Sequence, residues 1–273
     1  MKVKLIEHTP HPEAVCARAA KGDTDIRPSS KITEYDAGGW EGILKFCLEH
    51  GHHGVFEHAH FTFSIEGISR ACSHQLVRHR IATFDQQSQR YVDFTILLDP
   101  GNKAFDKGLH EVIESYRATG KLPEEPDPVK ALETYFVFPP TIRRKPENAR
   151  ALAKTYADDV IEYHKLVKSG VPPEDARFVF PNGMKTNITA TMNFRAIYDI
   201  AAERLCTRAQ WEIRVVFALM KREMRDVSPF FAERLQPKCL HLGYCNESKK
   251  AWETCQLMPH MAQVLKPVPH AGP

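Results

Sequence analysis

Residues 78 to 91, RHRIATFDQQSQRY, gather Arg78, His79, Arg80, Thr83, Gln86, Gln87, Ser88, Gln89 and Arg90 into one short stretch with almost nothing to build a core. Guanidinium groups are planar and donate two hydrogen bonds side by side, a geometry that matches phosphate oxygens better than a lysine ammonium does. The glutamine amides, with Gln75 just upstream, add paired donors and acceptors of the kind that read the edge of a base or a sugar. A solvated loop could carry one such arginine idly. The density of cation alternating with amide points instead to an anionic, hydrogen-bond-rich ligand.

A second group lies far along the chain. ARFVFPNGMKT places Arg177 before an apolar, strand-like run, and NFRAIYDIAAERL spaces Asn193, Arg195, Asp199 and Arg204 along one helix. Arg204 sits amid apolar neighbours, where an isolated cation is costly to bury; it needs an anionic or carbonyl partner, and Glu203 or another nearby carboxylate is the plain alternative to a functional one.

Other stretches invite chemistry and do not complete it. His50, His52, His53, His58 and His60 crowd EHGHHGVFEHAH, but the spacing provides no paired helix ligands and no completing cysteine or carboxylate, so ordinary hydrogen-bonding histidines are expected. Cys239, His241, Cys245 and Cys255 can be counted as a zinc set, yet they lack the C-x2-C knuckles of such sites; we assign no metal and expect buried thiols. Glycine-rich nucleotide loops and nucleophile elbows are missing. Nothing around Cys16, Cys47 or Cys72 argues for a thiol nucleophile.

The elements that must position these residues follow from pattern and punctuation. VKLIEH alternates as a strand, and PEAVCARAA starts a helix with Pro12 in its first turn. GWEGILKFCLEHGH reads as a helix ended by Gly51. HFTFSIEGI sets Phe61, Phe63 and Ile65 against Thr62, Ser64 and Glu66, the period of a half-buried strand. A helix fits from Ser69 to about His79, so RHRIATFDQQSQRY begins at a helix end and runs into a loop. Residues 99–133 are charged and Gly/Pro-bearing, a surface excursion with one helix in FDKGLHEVIESYRATG. TYFVFPP looks like a short strand. Pro146 and Gly170 bracket a long helix, and helical periodicity then runs for over thirty residues from Asn193, a plausible N-cap. KPVPHAGP should be disordered.

Composition bounds the function. With 273 residues, 42% hydrophobic, a sizeable core is possible. A net charge of +3 gives little support to nonspecific nucleic-acid binding, so anion affinity must come from local clustering. There is no long apolar run for a membrane span or a signal peptide, and seven scattered cysteines suit a reducing compartment, so we expect a cytoplasmic protein without membrane contact.

RHRIATFDQQS resembles the signature of the flavin-dependent thymidylate synthases, an Arg-His-Arg triplet followed seven residues later by serine, here with SHQLV before it and QRY after it. HGHHGVFEHAHFTF, GVPPEDARFVFP and NFRAIYDIAAERLCTRAQWEIR agree in order and type, which extends the resemblance over most of residues 1–235. It implies an α+β fold, a small antiparallel sheet packed by long helices, with a C-terminal extension at 236–273. It also implies a homotetramer binding FAD and dUMP, with NADPH as reductant and 5,10-methylenetetrahydrofolate as one-carbon donor.

Residue by residue, the resemblance implies that Arg78, His79, Arg80, Gln86, Asn193, Arg195 and the positions of Gly54 and Asp199 serve FAD. Gln75, Arg78 and Arg177, with Gln86, Gln87, Ser88, Gln89 and Arg90 of a neighbouring subunit, would bind dUMP. Arg204 would be held against the pyrimidine as the catalytic cation, with Ser88 a binding group because no base stands beside it. The sequence departs from the pattern at Thr83, for serine, at Gly54, for a hydroxyl residue, and at Asp199, for asparagine or histidine. The last two predict weaker or more pH-sensitive FAD binding. A noncatalytic nucleotide or single-strand binder, stacking bases on Phe84 and Tyr91, is the rival reading.

Overall fold

The structure, a computed structural model, describes residues 1–265; the predicted disorder of KPVPHAGP falls outside them. Its principal elements in chain order are β1 (Lys2–His8), α1 (Pro12–Gly22), α2 (Glu41–Glu49), β2 (His60–Ser69), α3 (Arg70–Leu76), β3 (Thr83–Gln86), α4 (Lys107–Thr119), α5 (Pro146–Lys168), β4 (Lys185–Asn193), α6 (Phe194–Arg204) and α7 (Trp211–Arg225), joined by shorter helical turns. The fold is α+β, with one four-stranded antiparallel sheet in the order β1-β2-β4-β3. Its chain divides into two compact units.

The first unit comprises residues 2–65, 75–84 and 189 onward. In β2, Phe61, Phe63 and Ile65 are fully buried, as their alternation predicts. Phe194 stacks on Phe231 at 3.9 Å between centroids, and Phe56 meets both rings edge-on. These rings fix the start of α6. Asn193 caps that helix, its side-chain oxygen accepting from the Ala196 amide at 2.8 Å. Phe194, Ile197 and Ala201 turn inward, leaving Arg195 and Asp199 on the exposed face.

Helical periodicity beyond Asn193 proves to be two helices. Residues 205–210 break the run, and Gln210 caps α7 by accepting from the Glu212 and Ile213 amides. The break ends α6 at Arg204, which places that guanidinium at a helix end.

The second unit comprises Met1, 66–74 and 85–188. Here the charged excursion differs from expectation. Its helix α4 forms as predicted, capped by Asp106 and closed by Gly120 at φ +69°. Rather than lying only on the surface, Leu109, Ile113 and Tyr116 from α4 and Leu132 pack a core with Tyr156 and Ala157 of α5. Charged residues fill its outer face and mask a helical stripe of apolar ones. TYFVFPP is not a strand: Phe136 makes one isolated bridge to Met184 and stacks on Tyr156 at 4.2 Å. FVF after Arg177 is likewise no strand but a helical turn, Arg177–Val179.

Candidate functional site

The helix predicted to reach His79 stops at Leu76, so Arg78, His79 and Arg80 stand on a turn of the first unit. The Arg78 and Arg80 guanidiniums are exposed and have no carboxylate or hydrogen-bond partner among the described residues. Gln75 lies half-buried in the last turn of α3.

His79 meets Arg204 directly. Arg204 Nε donates to His79 Nε2 at 3.1 Å, so that ring nitrogen must be the acceptor and the imidazole neutral. Burial, and after it the Arg204 charge, holds the imidazole below its ordinary value of 6.5. Arg204 makes no ion pair with Glu203 or another carboxylate among the described residues; in place of that alternative its partner is a neutral imidazole. Its full positive charge is retained for something else.

On the exposed face of α6, Arg195 is bound by Glu57 at 2.6 Å and stands 4.0 Å from Asp199, one turn on. Asn193 spends its oxygen on the helix cap and keeps its NH2 as a donor. Glu57 was missed by sequence reasoning because its stretch was read for its histidines; the signal was a carboxylate where a cation on α6 needs one. Gly54 lines a cavity of about 840 Å3 with Arg18, Ser29, Ser30, His52 and His58. A Cβ built on Gly54 meets nothing within 4 Å, so packing does not forbid a hydroxyl side chain there.

In the second unit, residues 86–90 form a pinned strand end and loop. Gln86 Nε2 donates to Ser73 and Thr186 hydroxyls at 3.2 and 3.1 Å. Gln87 is held through its backbone and amide by Asn187. The Ser88 hydroxyl accepts from the Arg90 amide at 3.2 Å, and Arg90 pairs with Glu174 at 2.9 Å. Gln89 is 8% exposed, and its Nε2 has no partner. Arg177 gives its Nε to the Glu174 carbonyl, which leaves both terminal nitrogens free to donate.

Arg70 is the second residue missed. Burial, followed by the Arg177 charge, lowers its pKa, which marks Arg70 as a second cation close enough to Arg177 to feel its charge. Two cations so placed suit an anionic ligand. Thus the structure brings Arg204 to His79 and Arg195 to Asp199 in one unit, and Arg177 to Arg70 and the 86–90 loop in the other.

The sequence model of the family described as "Thymidylate synthase complementing protein" matches residues 4–230. A flavin-dependent thymidylate synthase of Pyrococcus furiosus is 36% identical over 272 residues, covering 93% of this chain and 97% of the relative. The chain belongs to this flavin-dependent thymidylate synthase family. Another family member, from Geobacter sulfurreducens, is 38% identical over 253 residues, covering 90% and 91%.

The thymidylate synthase fold is found again among solved structures. ThyX from Helicobacter pylori, complexed with FAD and dUMP, superposes with a TM-score of 0.63 at 18% identity over 86% of this chain and all of that one. A UMP/dUMP methylase from Streptomyces cacaoi bound with 5-Br dUMP gives 0.60 at 23%, over 85% and 93%. The resemblance read from RHRIATFDQQS is therefore borne out at the level of family and fold.

The residues of this family member fit a flavin dinucleotide. The cavity beside Gly54 falls within the range of cofactor sites, about 300–1,000 Å3. Arg78 and Arg80 are unpaired cations of the kind that suit a pyrophosphate and Asn193 keeps an amide donor, although none of the three is among the residues lining that cavity.

Proposed function

We propose that the chain converts dUMP to dTMP as a homotetramer in the cytoplasm. FAD and NADPH would be its redox partners and 5,10-methylenetetrahydrofolate its one-carbon donor, with tetrahydrofolate released. The observation that carries this reading is Arg204, a half-buried guanidinium whose hydrogen-bond partner is a neutral imidazole.

A cation so placed favours ionisation of the pyrimidine at N3, which raises the electron density at C5 and makes it more nucleophilic, and partial burial strengthens the effect. His79 orients Arg204 without neutralising it. Bound FAD, once reduced by NADPH, would supply the hydride that completes the methyl group. Arg78, Arg80, Asn193 and Arg195 bind and orient that cofactor, with Gln86 and the open space at Gly54 completing its contacts. Arg177 and Arg70 hold the substrate phosphate, while Gln75, Gln87, Ser88, Gln89 and Arg90 read the nucleotide. Gln89 brings a buried amide that lacks a partner until a ligand arrives.

The tetramer is supported by apolar side chains left exposed beside binding residues: Tyr91 and Phe178 at 80% and 82% in one unit, Ile81 at 69% in the other. Seven free thiols suit a reducing compartment. No helix among the described residues is long and apolar enough to cross a membrane. A noncatalytic nucleotide binder would use the loop but gives Arg204 no role at His79.

The test is the visible spectrum of the purified protein, followed by anaerobic NADPH with and without dUMP. A flavin band that bleaches, at a rate or with a final spectrum altered by dUMP, is expected. A protein that stays colourless with added FAD contradicts the proposal.

A further inference from the structure

The segment after Leu235 has little of its own to hold it. Its helices are Lys238–Leu242, Lys249–Trp252 and Met261–Val264, none longer than five residues. Cys239 and Ala251 are its only buried apolar residues among those described. A piece this small and this poor in buried hydrocarbon is ordinarily secured by a cross-link or a metal.

Four of the seven cysteines meet at this segment. Cys206, Cys239, Cys245 and Cys255 line one cavity of about 30 Å3, together with Trp252 and Met258. Three of them belong to the segment. Cys206 belongs to the connection between α6 and α7, two residues past Arg204. All four are free thiols. Burial, and after it the Cys245, Cys206 and Cys255 sulfurs, push the Cys239 thiol up.

We propose that Cys206, Cys239, Cys245 and Cys255 bind a structural zinc ion as a tetrathiolate, fastening the C-terminal segment to the end of α6. The space is that of about one water molecule, which suits an ion and excludes an organic ligand. Four sulfur donors with no place for water describe a closed structural site. Lys238, Arg208 and Glu247 line the same cavity; Glu247 pairs with Lys238 at 3.0 Å, which leaves Arg208 to offset part of the negative charge of four thiolates around a divalent ion. C-x5-C-x9-C, joined by a cysteine from another helix connection, lacks the short knuckles by which such sites are read from sequence.

As the protonated thiols stand, no group of three or more His, Cys, Asp or Glu among the described residues is arranged to hold a metal. Binding would displace one proton from each of the four thiols and requires the sulfurs to draw together from the cavity wall to a zinc–sulfur distance of about 2.3 Å.

The experiment measures metal and thiols rather than turnover, so its outcome is independent of the nucleotide reading. The full chain, purified under reducing conditions, is expected to retain one zinc per chain. Stripped of metal, it should take up one equivalent of Co(II) with the intense visible absorption of a tetrahedral thiolate site. Cys245→Ser and Cys255→Ser should lose that spectrum, and Cys47→Ser, whose thiol is elsewhere, should keep it. Three results would overturn the proposal: a chain that holds no zinc and gives no cobalt spectrum, an unchanged spectrum in Cys245→Ser and Cys255→Ser, or a thiol count short by two without metal. The last would indicate a disulfide.

Discussion

Arg204 and His79 form the hydrogen-bonded pair on which the proposed chemistry rests, and each reports on the other. Because burial and Arg204 favour the neutral ring, the unfolded chain takes up its proton first as pH falls. Stability contributed by His79 is thus present above about 6.5, the unfolded value, and lost as pH drops through the folded one. Arg204→Ala should move the His79 midpoint upward in an NMR titration and reduce kcat by about 10²- to 10³-fold while flavin stays bound. A midpoint that does not move would show the two are not coupled.

Gly54 is the departure that structure makes testable. With open space at its Cβ position, Gly54→Ser should tighten FAD about three- to tenfold, the worth of one hydrogen bond on the order of 1 kcal/mol. Unchanged or weaker binding in a fluorescence titration would place the flavin away from this cavity. At this scale the sequence exposed the arginines and amides, because their charge density is visible without a fold. It did not expose Glu57 or Arg70, whose meaning lies in contacts across 138 residues to Arg195 and across 107 to Arg177.

Among the elements, those with strong punctuation were legible: α1 by Pro12, α5 by Pro146 and Gly170, α4 by Asp106 and Gly120, β2 by its alternating aromatics. Two strands escaped. β4 buries Thr186, Ile188, Ala190 and Met192, and two of those four are too small or polar to show the alternation. β3 is four residues of mostly polar sequence at the sheet edge, indistinguishable from loop. Yet β3 and β4 position Gln86 and Asn193. A close approach limits the residues before β4: a Cβ on Gly183 would strike the Tyr156 hydroxyl, which donates to the Val137 carbonyl at 3.1 Å. Gly183→Ala should therefore destabilise the protein by about 1–3 kcal/mol, read as a shifted urea midpoint. An unshifted midpoint would mean Tyr156 moves aside at no cost.

For the whole molecule, the implied sharing of dUMP between neighbouring chains separates the 86–90 loop from Arg204 functionally. Arg90→Ala and Arg204→Ala chains should each be nearly inactive. Refolded together into mixed tetramers, they should regain activity, because some sites then hold an intact Arg90 and an intact Arg204. No recovery in tetramers shown by mass to be mixed would place both residues on one chain's site. The central claim, reductive methylation of dUMP through a flavin, is tested most directly by product analysis. The protein is incubated anaerobically with FAD, NADPH, 5,10-methylenetetrahydrofolate and dUMP, and nucleotide and folate are quantified together. We predict dTMP and tetrahydrofolate in equal amounts; dihydrofolate in place of tetrahydrofolate, or reduced flavin without dTMP, would contradict the account.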